Sequence, residues 1–282
     1  MKQRQKTIEF PETWTDLTEA DWRELLKLRH TIVTTDHQWT PEDIRIETTS
    51  LLLKQRGVYL QLSNPKYLEL ISGLQESLTW LWPVEGDTIS LAYRSTENLM
   101  PKVRDWIGPL SHGADLVFGE FRQAFAHLRT YGQTQDETAL QALAGLLYRP
   151  EAKAEQKRNF QLRRQPYDWD SLDDKIRRGQ RMKPWQVWGI YAWFAYFCEY
   201  LTTGTFVIDG TEVSFAPLFA ASASGGSPAG SPAGSLQQIC LTLAESHVFG
   251  TARDVDNTPL LTVMQKLLMD YETLQKIKNR KK

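Results

Sequence analysis

The stretch Trp185 to Leu201, WQVWGIYAWFAYFCEYL, limits what this chain can fold into more than any other. Eight of its seventeen residues are aromatic, and Gln186 and Glu199 are its only strongly polar side chains. Apolar residues cover every face, so neither a helical nor a strand period shows. A helix that is apolar all round is either a central core helix or a membrane span. Crossing a bilayer takes about 20 apolar residues, and Pro184 and Glu199 bracket a shorter run. A buried core helix is therefore expected, with rings large enough to anchor most of a fold. Gly189, Ala192 and Ala195 form a small-residue stripe along which a neighbouring helix can come close.

Capping grammar places the elements before it. Thr18 with Asp21 makes an imperfect capping box, and Leu17 with Trp22 a hydrophobic staple, for a helix to about His30. Thr40-Pro41 opens a second helix, stapled by Trp39 and Ile44 and ending at Gly57. Val58 to Leu62 alternates like a strand, Asn64-Pro65 starts a third helix to about Trp80, and Thr88 to Arg94 is a second strand candidate. From Asn98 the text is punctuated by Pro and Gly. GEFRQAFAHLRTY and ETALQALAGLLY then read as two helices, the second stopped at Arg149-Pro150. Residues 151–183 hold ten Lys or Arg against six Asp or Glu. That predicts a solvated connector, with contact to an anionic surface as the functional alternative. In FVIDGTEVSF, Asp209-Gly210 sits between two alternating runs, a strong hairpin signal.

Ala220 to Ser235, AASASGGSPAGSPAGS, repeats Ser-Pro-Ala-Gly and offers nothing to bury. It predicts a flexible linker, natural or engineered. Ser235 with Gln238 then forms a capping box for LQQICLTLAESHVF, stopping at Gly250, and Thr258-Pro259 opens the last helix. On that helix Leu260, Met264, Leu267 and Tyr271 mark an apolar stripe, continued by Leu274, and are the candidate partner-binding residues. The expected architecture is mainly α (α+β). A multi-helix body, 1–219, surrounds the aromatic helix with a few short strands and one hairpin. The linker 220–235 tethers a C-terminal helical pair, 236–282, which docks on the body or on a partner.

The 282 residues carry a net charge of −1, which gives no electrostatic reason to expect nucleic acid. MKQRQKTIEF has no apolar run behind its basic residues, so no signal peptide is expected and the cytoplasm is the default compartment. Cys198 and Cys240 show no metal or redox spacing and are expected as buried, reduced thiols. His30, His37, His112, His127 and His247 form no metal-type pair, and no phosphate loop, GxGxxG or nucleophile elbow occurs. Asp168, Asp170, Asp173 and Asp174 could pair as acid and base, but a charged helix start accounts for them. Trp80-Leu81-Trp82 and Trp185 with Trp188 could stack bases or sugars, but without basic strands or an aromatic sheet motif beside them core packing is the favoured account. No catalytic residue, metal or cofactor is expected.

Four stretches carry a family resemblance: FPETWTDLTEADW, STENLMPKVRDWIGPLSHGADLVFGEFRQA, ALAGLLYRP and LAESHVFGTARDVDNTPLLTVMQKLL. Together they resemble phage and prophage proteins of Bacteroidetes-type tail gene clusters, similar in position and size to tail assembly chaperones encoded beside the tape measure protein. The Ser/Pro/Ala/Gly linker departs from that pattern. The resemblance implies a non-enzymatic chaperone in the host cytoplasm that binds the tape measure or another tail protein. A structural tail or connector component of the finished particle is the alternative, and a homo-oligomer is a further partner expectation under either. A chaperone of this kind offers apolar grooves to amphipathic helices, and needs neither cofactor, nucleic acid nor membrane.

Overall fold

The computed structural model describes residues 9–59, 65–86, 88–160, 162–219 and 232–280. They are mainly helical with a few short antiparallel strands, as the sequence predicts. The chain divides into two compact units, one of Met1–Ser95 with Pro184–Gly189 and one of Thr96–Lys183 with Ile190–Lys282. This differs from a division at the Ser/Pro/Ala/Gly stretch, because the C-terminal helices group with the chain from Thr96 onward. The proposed linker, at 220–231, lies outside the described residues. Its last four residues do not behave as linker, since a helix begins at Pro232.

In the first unit the capping signals become helices. Helix α1, Glu19–Thr34, starts from a full Thr18/Asp21 capping box and runs past His30. Helix α2, Pro41–Gln55, starts from the same device at Thr40 and Asp43. It ends in a Schellman motif: Gly57 takes φ +77°, its N–H donates to Lys54 O, and the Val58 N–H donates to Leu53 O. Helix α3 is Pro65–Glu76. Leu25, Ile44 and Leu52 have no exposure, and Trp22 almost none. Asp21 serves two ends, capping Thr18 and accepting from Arg56 at 3.0 and 3.3 Å. Trp14, Trp22, Trp80 and Tyr93 cluster with ring centroids 4.7–5.7 Å apart, so Trp80 belongs to packing. Two strand expectations contract. Val58 and Tyr59 form no strand, and 60–62 lie outside the described residues. Of Thr88 to Arg94 only β2, Thr88–Ile89, pairs, with β1, Val84–Glu85. Leu91 and Tyr93 alternate because they are buried core.

The second unit holds β3 (Lys102–Val103), β4 (Trp106–Ile107) and β5 (Arg149–Pro150), a small antiparallel sheet in the order β3-β4-β5. Around it run α4 (Phe118–Thr134), α5 (Glu137–Leu147), α6 (Ala154–Phe160) and α7 (Leu172–Gln180). The aromatic helix α8, Pro184–Thr203, enters this unit from Ile190. There Ile190, Phe194 and Phe197 have no exposure, and Trp193 donates its indole N–H to Thr96 O at 3.1 Å. Among the described residues no helix is long and apolar enough to cross a membrane. The hairpin forms as read: β6 (Thr205–Ile208) pairs with β7 (Thr211–Ser214) through Asp209 and Gly210 at φ +50° and +76°. Last come α9 (Pro232–Glu245), α10 (Ala252–Asn257) and α11 (Leu260–Arg280). The C-terminal pair is thus three helices, and Ser235 lies within α9 instead of capping it.

Residues 151–183 are not a solvated connector. Arg164, Gln165, Lys175 and Arg178 are buried. Arg164 and Arg149 both reach Glu120, which has no exposure, at 2.9 and 3.0 Å. Burial pulls the Arg149 guanidinium down to about 10, against the upward pull of that carboxylate. Arg178 donates to the Gly145 carbonyl and pairs with Asp170. This contact needs α5 and α7 backbone to backbone, and two glycines permit it. A Cβ on Gly145 would lie 1.9 Å from Lys175 O, and one on Gly179 would lie 2.1 Å from Gln141 O. Both obstacles are main chain, so the helices must move apart. Gly179→Ala is expected to cost about 1–3 kcal/mol, as overpacking does. Gly132→Ala in α4, where a Cβ meets nothing within 4 Å, is expected to gain about 0.5–1 kcal/mol. Urea midpoints of the two variants check the pair.

The caps also set an acid limit. Asp43, Asp174 and Asp254 are held below the usual carboxylate range, first by the hydroxyl of Thr40, Ser171 and Thr251, and Asp174 reaches about 2. A folded value below the unfolded one gives stability that is present above the unfolded pKa and lost as pH falls through the folded one. The melting temperature is therefore expected to drop between about pH 4 and pH 2. Asp174→Asn should flatten that slope.

Candidate functional site

The C-terminal candidate residues divide along α11. The helix is pinned at its start: the Leu260 N–H donates to Leu116 O and the Phe118 N–H to Thr258 O, both at 2.9 Å. Leu260, Val263 and Met264 are buried there. Arg122 from α4 fixes the neighbouring segment, donating to both Asp256 oxygens at 2.7 and 3.4 Å and to Gln237 Oε1 at 2.6 Å. Leu260 and Met264 are therefore spent on the chain's own core. Leu267 and Tyr271 are half-buried, Leu274, further along the same face, is 57% exposed, and Ile277, a turn beyond it and off that face, is 46% exposed. The stripe starts inside the unit and continues into water.

A second apolar feature lies on the other side of the same helix. Val213, Val248, Phe249, Leu268 and Met269 line a groove of about 420 Å³, with Met269 64% exposed. Sequence reading missed Val248, Phe249 and Met269, although Met269 was visible as an apolar residue off the stripe. Beyond Thr273 the chain has five cations and no acid, at Lys276, Lys278, Arg280, Lys281 and Lys282. The end of α11 thus offers an apolar edge beside positive charge.

The titratable groups considered for chemistry are dispersed or engaged. His112 bonds Thr96 Oγ1 through Nδ1 at 2.6 Å, His37 packs edge-on to Trp39, and burial lowers the pKa of His127. Asp174 is the N3 residue of the α7 capping box, as a charged helix start requires. Asp168 pairs with Arg253 at 3.7 Å. Cys198 and Cys240 are both buried and free, and burial raises each thiol. Among the described residues no three His, Cys, Asp or Glu are grouped as metal ligands. Trp185 and Trp188 are covered by cations of α1, Lys27 at 5.9 Å and Arg29 at 3.7 Å from the ring centroids. No protein-family model, curated protein or solved structure matches this chain.

Proposed function

We propose that this chain is a non-enzymatic binding protein that holds an amphipathic helical segment of a tail protein during tail assembly in the host cytoplasm. The tape measure is the partner that the sequence resemblance implies. The observation supporting this reading most is the end of α11, where Leu274 continues a core stripe into solvent, with exposed Ile277 a turn beyond it and a run of cations beside both. Leaving such a face exposed has a cost that a bound apolar helix removes. The acidic flank of that helix would meet Lys276, Lys278 and Arg280 and set its register.

The reading is tested with the double variant Leu274→Asp, Ile277→Asp. Both side chains are exposed, so the melting temperature should stay unchanged. Recovery of an amphipathic tape measure fragment in a pull-down is expected to fall about tenfold or more, the loss of two apolar anchors. Equal recovery by wild type and variant would remove α11 from the interface, and no recovery by either would remove the chaperone function.

A further inference from the structure

A pocket of about 490 Å³ lies between β4, β5 and the start of α7, with Trp106, Pro150, Trp169, Asp170, Arg177 and Arg181 in its wall. Three observations define its chemistry. Its sides are two indoles and a proline ring, and Trp169 is 48% exposed. Its cations are available: Arg181 is exposed and has no ion pair among the described residues, although its carbonyl is held by Arg104 Nη1 at 2.8 Å. Among the described residues Arg177 pairs with Asp174 alone, at 2.5 Å, and both remain half in water. Finally, one acceptor is unused. The Asp170 side chain is 4% exposed, one oxygen takes the Arg178 guanidinium, and Oδ1 has no donor among the described residues. A buried acceptor without a donor carries a free-energy cost that a ligand N–H or O–H relieves.

We propose that this pocket binds an acidic peptide segment. The peptide's carboxylate accepts from Arg177 and Arg181, a backbone N–H donates to Asp170 Oδ1, and its aliphatic or proline part lies on Trp106 and Trp169. Only a ligand bearing an anion and a donor at short separation satisfies both halves of the site. A phosphate dianion brings a second negative charge to a wall that also holds Asp170 and Asp174, and like charges oppose it more than they oppose a single carboxylate. A neutral sugar leaves the arginines without a partner. Arginine matches a carboxylate with two parallel bonds, and its stacking on indole adds to this, as Arg178 already shows at 5.7 Å from the Trp169 ring centroid. The site uses no residue of α11 and stands apart from the function proposed above.

Calorimetric titration of the full chain tests this with a blocked peptide carrying one glutamate beside a proline, its glutamine counterpart, and adenosine monophosphate. The glutamate peptide should bind, with the glutamine peptide about fivefold weaker, since one charge-assisted pair is lost. Arg181→Gln should weaken the glutamate peptide by about the same factor with unchanged melting. Trp169→Phe should weaken both peptides alike, because it shortens the wall without touching the charges. Equal binding of the two peptides, no effect of Arg181→Gln, or binding of the nucleotide without the peptide would overturn the proposal. So would the absence of heat from the glutamate peptide up to about 10 mM, beyond the range of a specific site.

Discussion

Glu120→Ala is expected to destabilise the second unit by about 3–5 kcal/mol, the cost of leaving buried charge without its partner. Glu120 has no exposure, and the Arg149 and Arg164 side chains on either side are 5% and 3% exposed. Removing it leaves two buried guanidinium groups with the Asp115 carboxylate, 3.3 Å from Arg164, and the neutral carbonyls of Leu146 and Leu147 to answer them. Such a loss is a large share of a total stability of about 5–15 kcal/mol. Glu120→Gln should fall between wild type and Glu120→Ala, keeping shape and hydrogen-bonding oxygen while losing charge. The comparison is made by urea unfolding followed through tryptophan fluorescence. A midpoint shift worth under about 1 kcal/mol would mean that water solvates the cluster, since that is the range of exposed pairs.

Trp193→Ala is expected to cost about 3–5 kcal/mol by a different route, the loss of packed volume. Trp193 is 2% exposed and stacks on Phe197 with centroids 5.7 Å apart and ring planes at 13°. Phe197 in turn covers Gly113, whose φ of +64° and lack of Cβ let the ring approach. The hydrogen bond is the smaller part. Thr96 O also accepts the His112 N–H at 2.7 Å, so it is not orphaned when the indole goes. Trp193→Phe should therefore recover most of the loss. Phe194→Ala, at a position with no exposure, should cost a comparable amount. Unchanged melting of both alanine variants would place α8 outside the core.

What the sequence disclosed, and what it hid, follows from the range of the interactions. Thr18, Thr40 and Asp209-Gly210 act within four residues, so their caps and turn can be read without knowing the fold. The uniform apolar character of 185–201 likewise forces burial whatever surrounds it. The ion cluster could not be read this way. Arg149 and Arg164 find Glu120 across separations that no local pattern records, so a charged stretch resembled solvated chain. The two-residue strands carry no period at all. The start of α9 was masked by its composition, although Pro232 in a first turn is compatible with helix. For α11, periodicity identified the apolar face of Leu260, Met264, Leu267 and Tyr271. It could not say that the chain itself occupies the first two, because that depends on Leu116 and Phe118 pairing with the 258–260 segment. The apolar edge left over, at Leu274 and Ile277, is visible only once that pairing is known.

Hydrogen–deuterium exchange of the full chain, with and without an amphipathic tape measure fragment, tests most directly whether the C-terminal helix is the binding element. The first turns of α11, around Leu260 to Met264, are buried and should be protected in both states. The account predicts that added fragment slows exchange over 267–280, and that Leu274→Asp, Ile277→Asp abolishes the effect. Protection confined to other segments, with 267–280 exchanging at the same rate in both states, would contradict it.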